Sequence, residues 1–225
     1  MTYRMSITPL RSVLLPLLAL LGACAGPSGP VRTETRTVEN FHAIDLRGAA
    51  DAEIVAGKAT SLTVTSDDET LRNLQTQVRD GVLVIQTDKS RGSWFQRRAT
   101  VKLQIETPSL DSLILNGAGD FRLRDVMGDK LKVVMAGAGS ISATGQVTAL
   151  QARIDGAGGM DLRKLTTGDA EVSVNGAGSL EVCATGNLNA EVNGVGSITY
   201  SCNPQKAATS VHGVGSIHPA GGRSP

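Results

Sequence analysis

The sequence predicts an all-β fold: a single-stranded parallel β-solenoid, or β-helix, with coils of about nineteen residues and a less regular, strand-rich amino-terminal cap. Two observations predict it. The first is a short pattern repeated six times, with glycine pairs at Gly117 and Gly119, Gly137 and Gly139, Gly156 and Gly158, Gly176 and Gly178, Gly194 and Gly196, and Gly213 and Gly215. Successive first glycines lie 20, 19, 20, 18 and 19 residues apart (137−117, 156−137, 176−156, 194−176, 213−194), a period that belongs to stacked repeats. The second is alternation. Two and four residues before the first glycine stand apolar side chains such as Leu115 and Leu113, Val174 and Val172; four and six after it stand Phe121 and Leu123, Leu180 and Val182. Polar residues such as Gln151, Arg153, Glu171 and Ser173 fill the places between, which is the period of a strand with one buried face.

Each repeat therefore reads as strand, Gly-x-Gly corner, strand. One repeat lies over the last, and neighbours hydrogen-bond in parallel about 4.8 Å apart. The glycines are expected at the corner because the backbone turns there with positive φ, where a Cβ is costly. A phosphate-cradling Gly-x-Gly occurs once, between a strand and a helix, whereas six copies flanked by strands mark a structural corner. Calcium-binding repeats need an Asp in every turn, but the place three after the first glycine reads Asp120, Ser140, Gly159, Ser179, Ser197 and Ser216. No metal and no cofactor is expected. The Asn116, Asn175 and Asn193 column reads as structural, each amide bonding neighbouring backbone.

Residues 1–23 read as a lipoprotein signal peptide: Arg4 and Arg11, an apolar run from Ser12 to Leu21, then Leu21-Gly22-Ala23-Cys24. Small residues before a cysteine resemble a lipobox, which makes Cys24 the lipid-attachment site and the membrane a partner through that lipid. Ala25, rather than Asp, resembles the pattern sent to the outer membrane of a Gram-negative bacterium, on its periplasmic or cell-surface side. Residues 24–37, with Pro27, Ser28, Gly29 and Pro30, read as a flexible tether. The domain runs over 38–219, with an irregular cap and first coils in 38–110, regular repeats in 111–219, and a tail at 220–225. Without Arg4 and Arg11 the balance is 22−2 = 20 basic against 21 acidic residues, −1, which gives no reason to expect nucleic acid. Cys183 and Cys202 are one repeat apart and would suit a disulfide in an oxidising compartment. They stand seven and eight after their glycines, so strict alternation sends them to opposite faces unless the chain slips near Asn203-Pro204.

In the first half, 41–46, 52–55, 61–65, 82–85 and 100–105 read as strands, 68–75 as one short helical turn, and Asp80-Gly81 as a tight hairpin turn. The motifs Phe41-x-x-Ile44, Gly48, Asp51-Ala52-Glu53-Ile54, Asp80-Gly81-x-Leu83-x-Ile85 and Pro108-x-Leu110, followed by the repeats, resemble the auto-transporter adhesin head, or GIN, domain family over roughly residues 38–218. The resemblance implies a β-solenoid and an adhesive or surface role. No carboxy-terminal series of amphipathic barrel strands is expected from this sequence.

The best sequence-level binding candidate is the basic aromatic segment holding Trp94, Phe95, Arg97 and Arg98, which suits sugar stacking or anionic head groups. The competing reading folds Trp94 back over one end of the core. No catalytic residues are expected: Glu171, Glu181 and Glu191 are scattered over outward positions, and His42, His212 and His218 have no partners at catalytic spacing. The expectation is a non-enzymatic envelope lipoprotein that binds or scaffolds through a glycan, an envelope polymer or a protein, in no particular oligomeric state. The alternatives are an accessory of an envelope-stress or surface-assembly system with a protein partner, and a carbohydrate-active β-helix enzyme.

Overall fold

The computed structural model describes residues 30–87 and 100–221. The fold is all-β: the described residues form one open mixed sheet of twelve strands with one short helix. The regular part comprises β8 (Ser112–Ile154), β9 (Ala157–Val174), β10 (Ala177–Ala184), β11 (Asn187–Ser201) and β12 (Lys206–Pro219), all paired in parallel. Ala138 lies beside Ala157, Ala157 beside Ala177, Ala177 beside Val195 and Val195 beside Val214, offsets of 19, 20, 18 and 19 residues. Like therefore lies on like. Leu113, Val133, Ala152, Val172 and Ala190 share one buried row, and Phe121, Ile141, Met160, Leu180 and Ile198 another. A fully buried Leu, Ile or Val contributes about 1.5–3 kcal/mol relative to exposure.

The first half supplies the level beneath. β2 (Ala43–Ala49) and β3 (Asp51–Ala56) pair in parallel with β8, and Gly48 lies beside Gly117 in the glycine row. The chain then leaves for residues 57–111 before resuming the stack. In that excursion β6 (Val82–Thr87) pairs in parallel under β2 and β7 (Lys102–Thr107) under β3. β5 (Leu74–Arg79), β4 (Ser61–Asp67) and β1 (Val31–Thr35) finish this end in antiparallel pairs. The expected hairpin is β5–β6, turned by Asp80 (φ 51°) and Gly81 (φ 73°). The expected helical turn is α1 (Asp68–Asn73), capped by the Asp67 carboxylate, which accepts from the Thr70 N–H at 2.7 Å.

Three expectations need correcting. Residues 31–35 of the supposed tether are strand β1, because the free edge of β4 offers a hydrogen-bonding partner to β-branched Val31, Thr33 and Thr35. Arg36 continues the attachment, its guanidinium donating to the Leu71 carbonyl at 2.8 Å and the Leu74 carbonyl at 2.5 Å. The Gly-x-Gly places do not interrupt pairing: the Ala177 N–H donates to the Gly156 carbonyl and the Val195 N–H to the Gly176 carbonyl, both at 2.8 Å. Positive φ also does not account for every glycine. Gly137 has φ +157°, but Gly176 lies outside that region, and what they share is that a Cβ would strike the carbonyl of the glycine one level below. The disulfide that the sequence leaves open is formed: Cys183 and Cys202 are bridged, with Cα atoms 5.1 Å apart. Cys183 pairs with Ser201, and strict alternation ends there, since Cys202 (φ 70°) and Asn203 (φ 51°) are consecutive left-handed residues that swing the second sulfur back.

Candidate functional site

Outward positions of the stack form straight rows, and each row can be judged by what its side chains do with one another. The row beside the first glycines is self-satisfied. The Asn193 amide donates to the Asn175 side-chain oxygen at 2.9 Å, Asn175 to Asp155 at 2.8 Å and Asn116 to Asp45 at 3.1 Å. The column is structural as expected, although its amides bond neighbouring side chains rather than backbone. On the far side of the glycines, Arg163 bridges Asp161 at 2.7 Å and Glu181 at 2.6 Å. That guanidinium holds the Asp161 carboxyl below its ordinary range, and the two acids raise Arg163 in return. Partial burial pushes Asp155 up, yet its bonds from Asn175 and Arg153 outweigh this and hold it low.

A different row borders an open groove of about 840 Å³ that runs along the stack. It is built from the positions seven and five before the first glycine of the five repeats from Gly137 onward: Lys130 and Lys132, Ala149 and Gln151, Asp169 and Glu171, Asn187 and Asn189, Lys206 and Ala208. Strand pairing sets Ala149 beside Asp169, Gln151 beside Glu171, and Asn187 beside Lys206. The small side chains of Ala149, Ala208 and Ala43 make the concavity, while Leu131, Leu150 and Leu188 between the rows point into the core. His42 and Asp111 close the amino-terminal end with Nδ1 and Oδ2 3.5 Å apart. Nothing in the apolar and glycine columns of the sequence marks this site. Its signal lies in the outward columns at the same period, which hold a mix of amides, acids and lysines.

The other candidates do not converge. Cys24, Trp94, Phe95, Arg97 and Arg98 lie outside the described residues. Glu171, Glu181 and Glu191 occupy three separate rows, and Glu191 faces His212 at 3.8 Å. His218 lies 3.3 Å from the Thr199 hydroxyl, so the histidines do have neighbours, all in exposed or half-exposed surface pairs. Among the described residues no group of three or more His, Cys, Asp and Glu is placed to hold a metal ion, and no helix is long and apolar enough to cross a membrane.

Comparison with known proteins bears on the fold and the family. The structure is similar to that of a putative adhesin from Bacteroides fragilis, at 24% identity and TM-score 0.70, covering 86% of this chain and 98% of that one. At that identity the likeness shows the fold alone. A putative lipid binding protein and a putative adhesin, both from Parabacteroides distasonis, match over the same 86% and 98% at 22% and 18% identity, each with TM-score 0.47. No curated protein matches the chain. The family described as "Putative auto-transporter adhesin, head GIN domain" matches residues 40–204, most of the sequence, and the chain belongs to that family.

Proposed function

We propose that this chain is a non-enzymatic binding module of the bacterial cell envelope, a parallel β-solenoid of about nineteen residues per coil held on the outer membrane through lipid at Cys24. Its long groove receives an extended envelope polymer. The observation that carries this reading is the groove itself, because it runs along successive levels and lines them with exposed polar side chains, so an extended chain has partners along its length. Membership of an adhesin family supports an envelope role. The Cys183–Cys202 bridge supports an oxidising compartment, since such bonds persist outside the reducing cytosol.

The test is retention of a cell-envelope polysaccharide fraction by the immobilised full-length protein. Ala149→Trp fills the middle of the groove from an outward, exposed position, so it should leave thermal unfolding unchanged and abolish retention. Retention undiminished in a folded Ala149→Trp protein would refute the groove as the binding site.

A further inference from the structure

We infer that the exposed terminal strand β12 is an interface for a second copy of this chain, the two β12 strands pairing antiparallel about a two-fold axis at Val214. The segment concerned, residues 211–217, is no part of the groove lining, so the inference stands apart from the groove's ligand.

The carboxy-terminal end is open in backbone and in side chain. The Val195 N–H donates to the Gly176 carbonyl at 2.8 Å, so the first-glycine carbonyls face the level above. β12 lies in register on β11, which leaves the Gly213 carbonyl facing outward with no described strand beyond it. Every β12 residue from Lys206 to Ser216 is exposed. Exposed edges are ordinarily guarded by charge. At the amino-terminal end, edge strand β1 carries Arg32 and Glu34, and edge strand β5 carries Arg79. β12 has Lys206 as its first residue and no Asp, Glu, Lys or Arg after it. Ends so unlike do not match head to tail. The unguarded end matches a second unguarded end, which gives a closed pair rather than a filament.

The sequence of β12 also fits itself. It reads Val211-His212-Gly213-Val214-Gly215-Ser216-Ile217, and a reversed copy centred on Val214 sets Gly213 against Gly215, Val211 against Ile217 and His212 against Ser216. Val211 and Ile217 continue the buried rows that hold Val192 and Ile198 one level below. They stand equally far from Val214 (214−211 and 217−214), so reversal keeps both rows on the inward face. Apolar side chains then cover apolar side chains at the end of the core, and bare glycine backbone meets bare glycine backbone. Pro219, with no N–H, ends the ladder on each side. A 14-residue strand from each copy falls short of the roughly 20–30 residues a side of a standard interface. The pair therefore forms at micromolar concentration, and in dilute solution β12 is again the free outer level.

Sedimentation equilibrium of the full-length protein tests this, with Val214→Lys set against Val195→Lys. Val214 is 73% exposed and Val195, one level below, 59% exposed, so neither change disturbs the core. The parent should show a monomer–dimer equilibrium with a Kd on the order of 10 µM. Val214→Lys brings like charges together at the axis and should weaken the dimer about tenfold or more, while Val195→Lys should leave it unchanged. Register is read by Val214→Cys. Directly opposed residues of a non-hydrogen-bonded antiparallel pair have Cα atoms about 4.5 Å apart, within the span of a disulfide. Oxidation should cross-link Val214→Cys into dimers and leave Val195→Cys monomeric. Any one of four results overturns the inference: a parent monomeric into the high micromolar range, a dimer indifferent to Val214→Lys, open-ended polymers, or cross-linking of Val214→Cys no greater than that of Val195→Cys.

Discussion

The two ends of the stack are finished differently. At the amino-terminal end, β6 and β7 lie beneath β2 and β3, and β5, α1, β4 and β1 close over them, so Ile44, Leu46, Leu83 and Leu103 are as buried as the middle of the core. At the carboxy-terminal end β12 lies on β11 with no described strand beyond it. Val192 is 0% exposed and Val211, the next residue in the same row, is 42% exposed. The fold thus spends an elaborate, non-repeating excursion on one end, while the other is held by its pairing to β11 and by the Cys183–Cys202 bridge just beneath. Parallel pairing continues without difficulty wherever a level exists on each side. What differs between the ends is how much freedom the outermost level keeps.

The largest expected effect comes from the glycine rows. Gly156→Ala puts a Cβ against the Gly137 carbonyl with a further level above, so neither neighbour can retreat; unfolding stability should fall by about 3–5 kcal/mol. Gly215→Ala meets the Gly196 carbonyl in the same way, but β12 can lift away, and a loss of about 1 kcal/mol or less is expected. Urea denaturation of the pair measures both; equal losses would show that the terminal level is as constrained as the middle. Next in size is Val192→Ala, expected to cost about 2 kcal/mol as a fully buried truncation, against about 0.5–1 kcal/mol for Val211→Ala. The same denaturation series reads this, and near-identical values would mean that Val211 is covered in solution.

The smallest effect is electrostatic and belongs to the middle of the stack. The Asp161 carboxyl, held low by Arg163, contributes stability that is present above the unfolded carboxylate value of about 3.9 and is lost as pH falls through its lower folded value. Thermal melts between about pH 5 and pH 2 should therefore fall less steeply for Asp161→Asn than for the parent protein. Parallel curves would show that Arg163 provides no net support there.

Much of this contrast is readable from residues, and the unreadable parts have identifiable causes. The repeats announce themselves because a constant offset aligns Leu113 with Val133 and Gly117 with Gly137, and tertiary pairing uses that same offset. Gly48 belongs to the same row but escapes the period, since 69 residues separate it from Gly117 (117−48). β1 is hidden by prolines before it and by the remoteness of its partner β4. The disulfide defeats a period-2 argument because two left-handed residues suspend the alternation where it matters. The groove was legible in principle; its signal lies in outward columns, where residue type varies from level to level and no single motif repeats.

The return from Gly48 to Gly117 has a kinetic meaning. Laying β8 on β2 closes a segment of 69 residues, whereas each later level closes only about nineteen (137−117 to 213−194), a difference of about 1 kcal/mol in closure entropy before any strand contact compensates. Assembly therefore has a slow, non-local first step and fast local ones after it. Once the foundation is laid, every new turn finds its template already in place, and the chain can grow like a crystal adding rows to a finished face.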